Sequence, residues 1–85
     1  MEVEYSPNAI EDLDYWKEKH ENKILQRIRK LIANIQENPF RGIGKPEPLK
    51  YNYAGLWSRR INNEHRLIYE INGDTITIHS LREHY

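Results

Sequence analysis

The spacing of apolar residues changes along the chain, and each spacing predicts a different element. Residues 2–5 alternate polar and apolar side chains, which is typical of a short strand. Ser6 before Pro7 is a signal for the start of a helix, and apolar residues follow at helical spacing. These residues are Ile10, Leu13 and Trp16. We therefore expect a helix from about Pro7 to about Lys19.

A second helix is predicted by aliphatic residues that recur at i, i+4, i+7, i+8 and i+11. These are Ile24, Ile28, Leu31, Ile32 and Ile35. Asn38 followed by Pro39 ends this pattern, because the residue before a proline disfavours helical geometry. Only a few polar residues separate the two helices, so we expect them to pair antiparallel.

The second half of the chain predicts a long loop and then strands. Residues 39–55 are rich in proline and glycine, which indicates a loop. Residues 56–61, 65–71 and 75–81 carry the branched and aromatic side chains of strands. The predicted fold is a single α+β domain over residues 1–85 in the order β-α-α-β-β-β. We expect an antiparallel twisted sheet with both helices on one face and the other face free.

The turn between the first two of these strands decides which side chains share a face. A three-residue turn places Arg60 opposite Arg66 on the free face and Trp57 with Leu67 on the helix face. A two-residue turn would place Arg59 opposite Arg66 instead. We favour the first register, because it gathers more apolar surface beneath the helices.

Basic residues are concentrated in one part of a chain that is neutral as a whole. The 13 basic and 13 acidic residues give a formal net charge of zero, which argues against a protein that coats nucleic acid. Residues 39–66, however, carry six basic and two acidic side chains. This local excess suggests that one part of the surface holds an anionic ligand.

The paired arginines of the hairpin suggest what that ligand is. Like charges directly opposite on neighbouring strands are unfavourable unless another group lies between them. A phosphate would serve, because the guanidinium fork matches its oxygens. The alternative is that nearby carboxylates neutralise the arginines as ordinary surface ion pairs. The candidate carboxylates are Glu47, Glu64, Glu70 and Glu83.

Two further residues are candidates for acid and base chemistry. Glu47 lies between Pro46 and Pro48, which restrict the backbone on both sides and suit a positioned general base. The alternative is a rigid loop with a solvated acid. His84 can donate a proton near neutral pH if the last strand brings it to the free face, whereas the alternative is a frayed terminus. His65 is expected to point to the opposite face from Arg66, as a structural or surface residue.

The composition excludes several other kinds of site. The chain has no cysteine, which rules out disulfides and thiolate metal sites and makes the reducing cytoplasm the expected compartment. The histidines offer no convincing third metal ligand, so we expect neither a metal nor another cofactor. The first residues lack the features of a signal peptide, and no apolar run approaches the length of a membrane span.

Four segments together resemble the YoeB/Txe toxins, a branch of the RelE/ParE toxin superfamily of bacterial toxin-antitoxin systems. The segments are GKPEPLK at 44–50, WSRRI at 57–61, EHRLIY at 64–69, and the final His84 and Tyr85. The resemblance covers nearly the whole chain. Tyr51 departs from it, because many members have histidine at this position, which affects local contacts to bases.

The resemblance implies a RelE-like fold, similar to microbial ribonucleases, that cleaves mRNA in the ribosomal A site without metal. It also implies an antitoxin partner of the YefM/Axe type, and the small core is compatible with a homodimer. By position, Glu47 would be the general base, His84 the general acid and Arg66 the stabiliser of the transition state. Tyr85 would orient the reacting groups. The candidate RNA contacts are Lys50, Arg59 and Arg60.

Two other functions fit the same sequence. One is a non-catalytic inhibitor that binds gyrase, as other members of the superfamily do, and it would give no use to an acid and base pair. The other is an RNA-binding module whose arginines only hold phosphates. Its binding would depend steeply on salt and leave the RNA intact.

Overall fold

The computed structural model describes residues 1–84, with the side chain of His84 excepted. Within that range the chain forms two helices and five strands. In chain order they are β1 (Glu2–Tyr5), α1 (Pro7–Glu18), α2 (Asn22–Glu37), β2 (Glu47–Pro48), β3 (Leu56–Arg60), β4 (His65–Asn72) and β5 (Thr75–His84). A 3₁₀ turn covers Tyr51–Tyr53 between β2 and β3. Neither helix in the described range has the length and apolar character that crossing a membrane requires.

Both predicted helices are confirmed, and their ends follow local chemistry. Ser6 is extended and accepts a hydrogen bond from the Ala9 amide at 3.1 Å, so it caps α1 as predicted. The helix then begins at Pro7, whose fixed φ suits the first turn. The apolar stripe of α2 is buried at Ile28, Leu31 and Ile35, one turn apart on one side of the helix.

The five strands form one mixed sheet in the order β1-β5-β4-β3-β2. The α+β class is confirmed, but the expectation of a wholly antiparallel sheet is wrong at one edge, because β1 runs parallel to β5. Parallel neighbours need a long connection, and here β1 and β5 lie at opposite ends of the chain. The predicted loop 39–55 also contains β2, whose Glu47 and Pro48 pair antiparallel with β3.

The hairpin of β3 and β4 has the register that we favoured. Trp57 pairs with Tyr69, and Arg60 pairs with Arg66. The Ile61 amide donates to the His65 carbonyl at 2.9 Å and closes a three-residue turn. Alternation along these strands therefore puts the two paired arginines on the same face of the sheet.

The helices cover the other face, where the core lies. One cluster of buried apolar side chains joins both helices to the strands. Its members are Ala9, Trp16, Ile28, Leu31, Ile35, Ile61, Leu67, Tyr69, Ile76, Ile78 and Leu81. Ile68 is also buried but lies outside this cluster, on the face with Arg60 and Arg66. We call that second face the open face.

The strand β5 is longer and less regular than predicted, since it continues to His84 rather than ending at residue 81. Tyr69 pairs with Ile78, whereas the preceding Ile68 pairs with Ser80, so His79 is an extra residue in β5. A second shift lies closer to the start of β4. Such bulges change which side chains of a strand share a face.

Candidate active site

One row of side chains on the open face begins with Glu47. Across neighbouring strands of the sheet, Glu47 lies opposite Ser58, Ser58 lies opposite Ile68, and Ile68 lies opposite Ser80. Directly opposed residues of antiparallel strands project to the same side of the sheet. Glu47, an exposed residue, therefore shares the open face with Ser58.

The backbone around Glu47 is held on both sides. The flanking prolines keep it extended, and its strand is the edge of the sheet, where Pro48 removes no hydrogen bond from a ladder interior. On one side the Gly44 carbonyl accepts from the Arg60 amide at 2.6 Å. On the other side the Leu49 amide donates to the Leu56 carbonyl at 2.8 Å. The carboxylate is thus carried by fixed backbone.

Gly44 shows why this approach to β3 needs a glycine. Its φ is +80°, a conformation that side chains rarely adopt. A Cβ at this position would lie 2.8 Å from Leu31 Cδ2 and 3.1 Å from the Arg60 carbonyl oxygen. The segment before Glu47 can therefore lie against the sheet only because the side chain is missing.

The second row on the open face is formed by charged residues. Arg66 lies opposite Arg60 on one side and opposite Glu83 on the other. Its Nη1 donates to Ser58 Oγ at 3.2 Å. Ser58 therefore contacts Arg66 and is also the cross-strand partner of Glu47, which brings a carboxylate and a guanidinium to the same part of the face.

Two of the four carboxylates that could have neutralised these arginines interact with histidines. Glu70 Oε1 lies 2.9 Å from His79 Nε2. Glu64 Oε2 lies 4.0 Å from His65 Nε2.

A cleft of about 430 Å³ opens on this face. Its lining includes three apolar residues, Leu49, Leu56 and Ile68. The remaining lining residues are Asn8, Tyr53, Arg66, His79, Ser80 and Glu83. A cleft with apolar walls and a few polar groups is the usual form of a site for a small ligand or part of a larger one.

The three candidate RNA contacts have different positions. Lys50 is exposed before the 3₁₀ turn, and its neighbour Tyr51 is 92% exposed. Arg60 is half-buried and lines a second cavity of about 400 Å³ together with Arg27 and Lys45. Arg59 lies on the helix side of β3 and is 0% exposed. The prediction that Arg59 contacts RNA is therefore wrong.

Arg59 is instead enclosed by hydrogen-bond acceptors. Its Nε donates to Tyr69 Oη at 3.2 Å, and its Nη2 donates to the carbonyls of Asn38 at 2.7 Å and Arg41 at 3.1 Å. Its Nη1 donates to Asn34 Oδ1 and to the Ile43 carbonyl. These bonds use the five N–H donors of the guanidinium. Arg59 therefore fastens the loop that follows α2 to the sheet.

Tyr69 completes this network from β4. Its hydroxyl accepts from Arg59 and donates to the Pro39 carbonyl at 2.7 Å. Burial raises the pKa of the Tyr69 phenol, and the hydrogen bond and charge of Arg59 oppose the increase in part. The neutral phenol is the form that can donate to the loop.

The helix α1 also holds β5 near its end, which the sequence reasoning missed. The Leu81 amide donates to Asp12 Oδ2 at 2.9 Å, and the Leu81 carbonyl accepts from Trp16 Nε1 at 2.9 Å. Asp12 is buried. The position of Asp12 could have indicated this contact, because residue 12 lies on the same side of the helix as the apolar residues Ala9 and Trp16.

His65 is a structural residue, which confirms one of its two predicted roles. It is buried, and its ring centroid lies 4.9 Å from that of Trp16 in an edge-to-face contact. The backbone of His65 pairs with that of His84. The side chain of His84 and the whole of Tyr85, both predicted to be catalytic, lie outside the described residues.

His79 was not assigned to any site from sequence, but it lines the cleft together with Arg66. The hydrogen bond from His79 lowers the pKa of the Glu70 carboxyl, and the Asn72 side chain adds to this effect. His79 follows the core residue Ile78, so alternation along β5 places its side chain on the open face. The signal in the sequence was the alternation of Ile76 and Ile78 with Thr77 and His79.

Comparison with protein families gives one match that covers most of the chain. Residues 5–85 match the YoeB-like toxin of bacterial type II toxin-antitoxin systems. Among curated proteins, "Toxin YoeB" of Escherichia coli strain K12 is 44% identical over 85 residues, which is 100% of both chains. "Toxin RelK" of Mycobacterium tuberculosis is 47% identical over 83 residues, covering 98% of this chain and 96% of the relative.

Solved structures agree with this match. The YoeB/ParE toxin from Agrobacterium tumefaciens superposes with a TM-score of 0.94 at 37% identity, over 100% of both chains. YoeB from Staphylococcus aureus is 42% identical and has been solved as a dimer, with a TM-score of 0.91, covering 100% of this chain and 98% of the other. It has also been solved in a heterotetrameric YoeB-YefM complex, with a TM-score of 0.90 and the same coverage.

Proposed function

The chain belongs to the YoeB-like toxin family of bacterial type II toxin-antitoxin systems, and from this premise we propose that it is a ribosome-dependent mRNA endoribonuclease. The proposed reaction is metal-independent acid-base cleavage. It would leave a 2′,3′-cyclic phosphate on one product and a 5′-hydroxyl on the other. The proposed place of action is the cytoplasm, where mRNA is translated.

The observation that supports this proposal is the arrangement around Ser58. Ser58 is the cross-strand partner of Glu47 and the acceptor of the Arg66 hydrogen bond at 3.2 Å. A carboxylate that can accept a proton therefore shares one face with a guanidinium that can bind a phosphate. Gyrase inhibition by binding alone would leave this combination without a use.

In the proposed mechanism, Glu47 acts as the general base. Its carboxylate removes the proton from a ribose 2′-OH, and the resulting oxygen attacks the adjacent phosphorus. The exposed position of Glu47 on an edge strand leaves it accessible to a ribose. The held backbone on both sides fixes where the carboxylate can be, which is what a general base requires.

Arg66 is proposed to bind the reacting phosphate and to stabilise the negative charge that builds up on its oxygens. His84 is proposed to protonate the leaving 5′ oxygen, and Tyr85 to orient the substrate or the catalytic groups. A positioned acid and a positioned base each contribute about 10²- to 10⁴-fold to a rate. Lys50 and Arg60 are proposed to support RNA binding through further contacts.

The proposed protein partner is an antitoxin of the YefM type. Staphylococcus aureus YoeB, which is 42% identical to this chain, is found in a complex with YefM and as a dimer. An 85-residue chain has a small core, and association adds buried surface that such a core lacks. We therefore propose both an antitoxin complex and a homodimer for this chain.

Primer extension on a translated mRNA tests the proposed activity. Wild-type protein is added to a purified translation system containing mRNA, and the cut sites are mapped with and without EDTA. We expect cleavage under both conditions, translation-dependent cut sites, and a loss of cleavage of about 10²-fold or more for His84→Ala. Full cleavage by a Glu47→Ala, His84→Ala double variant would rule out the proposed roles.

A second readout separates this function from its two alternatives. Inhibition of gyrase with intact RNA would instead identify a binding inhibitor. Salt-dependent RNA binding with no cut sites would identify an RNA-binding module.

A further inference from the structure

His79 occupies an unusual place in the sheet. It is the extra residue of β5, between Ile78, which pairs with Tyr69, and Ser80, which pairs with Ile68. Its carbonyl accepts instead from Ser6 Oγ at 2.8 Å and from Asn8 Nδ2 at 3.3 Å. Bulges of this kind occur beside active sites, where they redirect a side chain. A regular ladder would pair His79 with Ile68, but Ser80 takes that place, and the backbone of His79 is held by Ser6 and Asn8 instead.

The imidazole of His79 is oriented as well. Its Nε2 lies 2.9 Å from Glu70 Oε1, and the two residues come from neighbouring strands. A glutamate is ionised at neutral pH, and the hydrogen bond from His79 lowers the pKa of Glu70 further, so the carboxylate can only accept a hydrogen bond. The proton between them therefore belongs to Nε2, and in the neutral ring Nδ1 is an acceptor.

The cleft beside His79 has the shape and chemistry for a flat ring with polar edges. Leu49, Leu56 and Ile68 give it apolar walls, and its volume is about 430 Å³. His79 and Glu83 add acceptors to its lining. Proteins that read single-stranded RNA place a splayed base against apolar or aromatic side chains and hydrogen-bond its edges.

We propose that this cleft is a nucleobase subsite in which His79, held by Glu70, reads the base next to the phosphate bound by Arg66. This inference rests on the proposed nuclease function. The acceptors Nδ1 of His79 and the Glu83 carboxylate match the exocyclic amino groups of adenine, cytosine and guanine. Uracil has no such group, so the subsite disfavours it.

The first test measures base preference during cleavage. A purified translation system is supplied with mRNAs that carry each of the four bases at the positions flanking the cut, and initial rates are taken from mapped 5′-hydroxyl ends. Wild-type protein is expected to cut at amino-bearing bases faster than at uracil. His79→Ala is expected to reduce this ratio by about 3- to 10-fold, the value of one hydrogen bond.

Two further variants make the result specific. Glu70→Ala, which removes the group that orients the imidazole, is expected to reduce the ratio in the same direction and by a smaller factor. His20→Asn removes an exposed histidine from the turn after α1 and is expected to leave the ratio unchanged. A ratio in His79→Ala equal to that of wild type and His20→Asn overturns the inference, as does a wild-type protein that cuts all four bases equally.

A binding measurement separates failure of the subsite from failure of the proposed function. Short 2′-O-methyl RNAs of single base composition lack the attacking hydroxyl, so they report binding alone. Wild type is expected to bind the adenine and cytosine oligonucleotides more tightly than the uracil one, and His79→Ala to remove the difference. Discrimination lost in His79→Ala supports the subsite even if wild type cuts no mRNA, whereas cleavage with unchanged discrimination supports the function and rejects the subsite.

The same measurement distinguishes RNA from a protein occupant of the cleft. The competing outcome is that His79→Ala weakens binding of an antitoxin peptide while base discrimination stays as in wild type. That outcome would assign the cleft to the antitoxin and overturn the inference.

Discussion

Arg59 and Arg60 are adjacent in β3, yet they belong to two different regions of the molecule. Arg59 is 0% exposed, and its guanidinium donates to a loop, to α2 and to Tyr69. Arg60 is half-buried on the open face, opposite Arg66, and it lines a cavity of about 400 Å³. Two identical side chains thus have different roles because a strand alternates between the faces of its sheet.

A basic segment of a small protein can include charges that never reach the surface. A buried charge is tolerated only when its donors or acceptors are satisfied, and Arg59 meets this condition with five hydrogen bonds. It therefore adds nothing to the surface available for RNA. The positive patch that can meet a phosphate is smaller than the six basic residues of 39–66 suggest.

The two regions are nevertheless connected. The loop that Arg59 holds leads through Gly44 to Glu47, and the Gly44 carbonyl is bonded to the amide of Arg60 at 2.6 Å. The helix-side network therefore supports the backbone from which the open face presents its carboxylate. The Glu47 segment is also bonded to β3 without the Arg59 guanidinium, through the Gly44 carbonyl and the Leu49 amide. In folded molecules we therefore expect substitutions of Arg59 to change stability and substitutions on the open face to change chemistry.

Glu47→Gln should have the strongest effect of these substitutions, and the effect is on catalysis. Loss of the proposed general base should lower the single-turnover rate on translated mRNA by about 10²- to 10⁴-fold. The free energy of unfolding should change by less than about 0.5 kcal/mol, because the side chain is exposed. The control is Glu37→Gln, which makes the same change at an exposed position of α2. A wild-type cleavage rate in Glu47→Gln would show that Glu47 is not the general base.

The next effect is on stability, from Arg59→Ala. This change leaves several loop carbonyls and the Tyr69 hydroxyl without their donor, so we expect the free energy of unfolding to fall by about 3–5 kcal/mol. Arg60→Ala, one residue away, should cost less than about 1 kcal/mol. Urea denaturation of both proteins measures the difference. Equal losses of unfolding free energy in Arg59→Ala and Arg60→Ala would show that the burial of Arg59 does not increase its contribution to stability.

A smaller effect on stability is expected at the second buried polar contact, between α1 and β5. Asp12→Ala leaves the buried amide of Leu81 without an acceptor, which should cost about 1–3 kcal/mol. Asp12→Asn keeps an oxygen at this position and should recover part of the loss. Asp14→Ala, at an exposed position of the same helix, is the control and should be close to wild type in denaturant. An equal effect at the two positions would contradict the role of Asp12.

The smallest effect is a pH dependence carried by Tyr69. Its pKa in the folded protein is raised above the ordinary 10.0, so on raising the pH the unfolded chain loses this proton first. The stabilisation by the neutral phenol is complete below pH 10.0 and is lost as the pH rises from there through the raised pKa. Tyr69→Phe lacks this titration, so the difference in unfolding free energy between the two proteins should narrow above pH 10.0. A difference in unfolding free energy that stays constant above pH 10.0 would contradict this role of Tyr69.

Much of the fold follows from local patterns. The helical stripes, the Ser6 cap and the three-residue hairpin turn each depend on residues close together in sequence, and each was predicted correctly. The parallel pairing of β1 with β5 was not predicted, because no residue near Val3 indicates that its partner is Ile76. Long-range pairing depends on the whole arrangement of the sheet.

The site was predicted only in part, because some of its contacts are local in sequence and others are long-range. The favoured register put Arg60 and Arg66 on one face and Arg59 on the other, so the burial of Arg59 follows from it. The acceptors that satisfy Arg59 could not be foreseen, since they are carbonyls of a loop with no regular geometry. The bulge at His79 has no signal in the sequence of β5 either, although alternation after Ile78 places the His79 side chain on the open face.

On these proposals the open face performs the chemistry while the helix side provides stability, and a matched pair of arginine substitutions separates the two. Arg66→Lys and Arg59→Lys both keep the charge but lose the guanidinium fork. Both proteins are measured for single-turnover cleavage of translated mRNA and for urea denaturation.

We expect Arg66→Lys to cleave about 10²-fold more slowly, with an unfolding free energy within about 1 kcal/mol of wild type. Arg59→Lys should lose about 2–3 kcal/mol of stability, because an ammonium has three donors where five are used, while its folded molecules cleave at the wild-type rate. Normal cleavage by Arg66→Lys, or an Arg59→Lys protein that is as stable as wild type and fails to cleave, would contradict this division of roles.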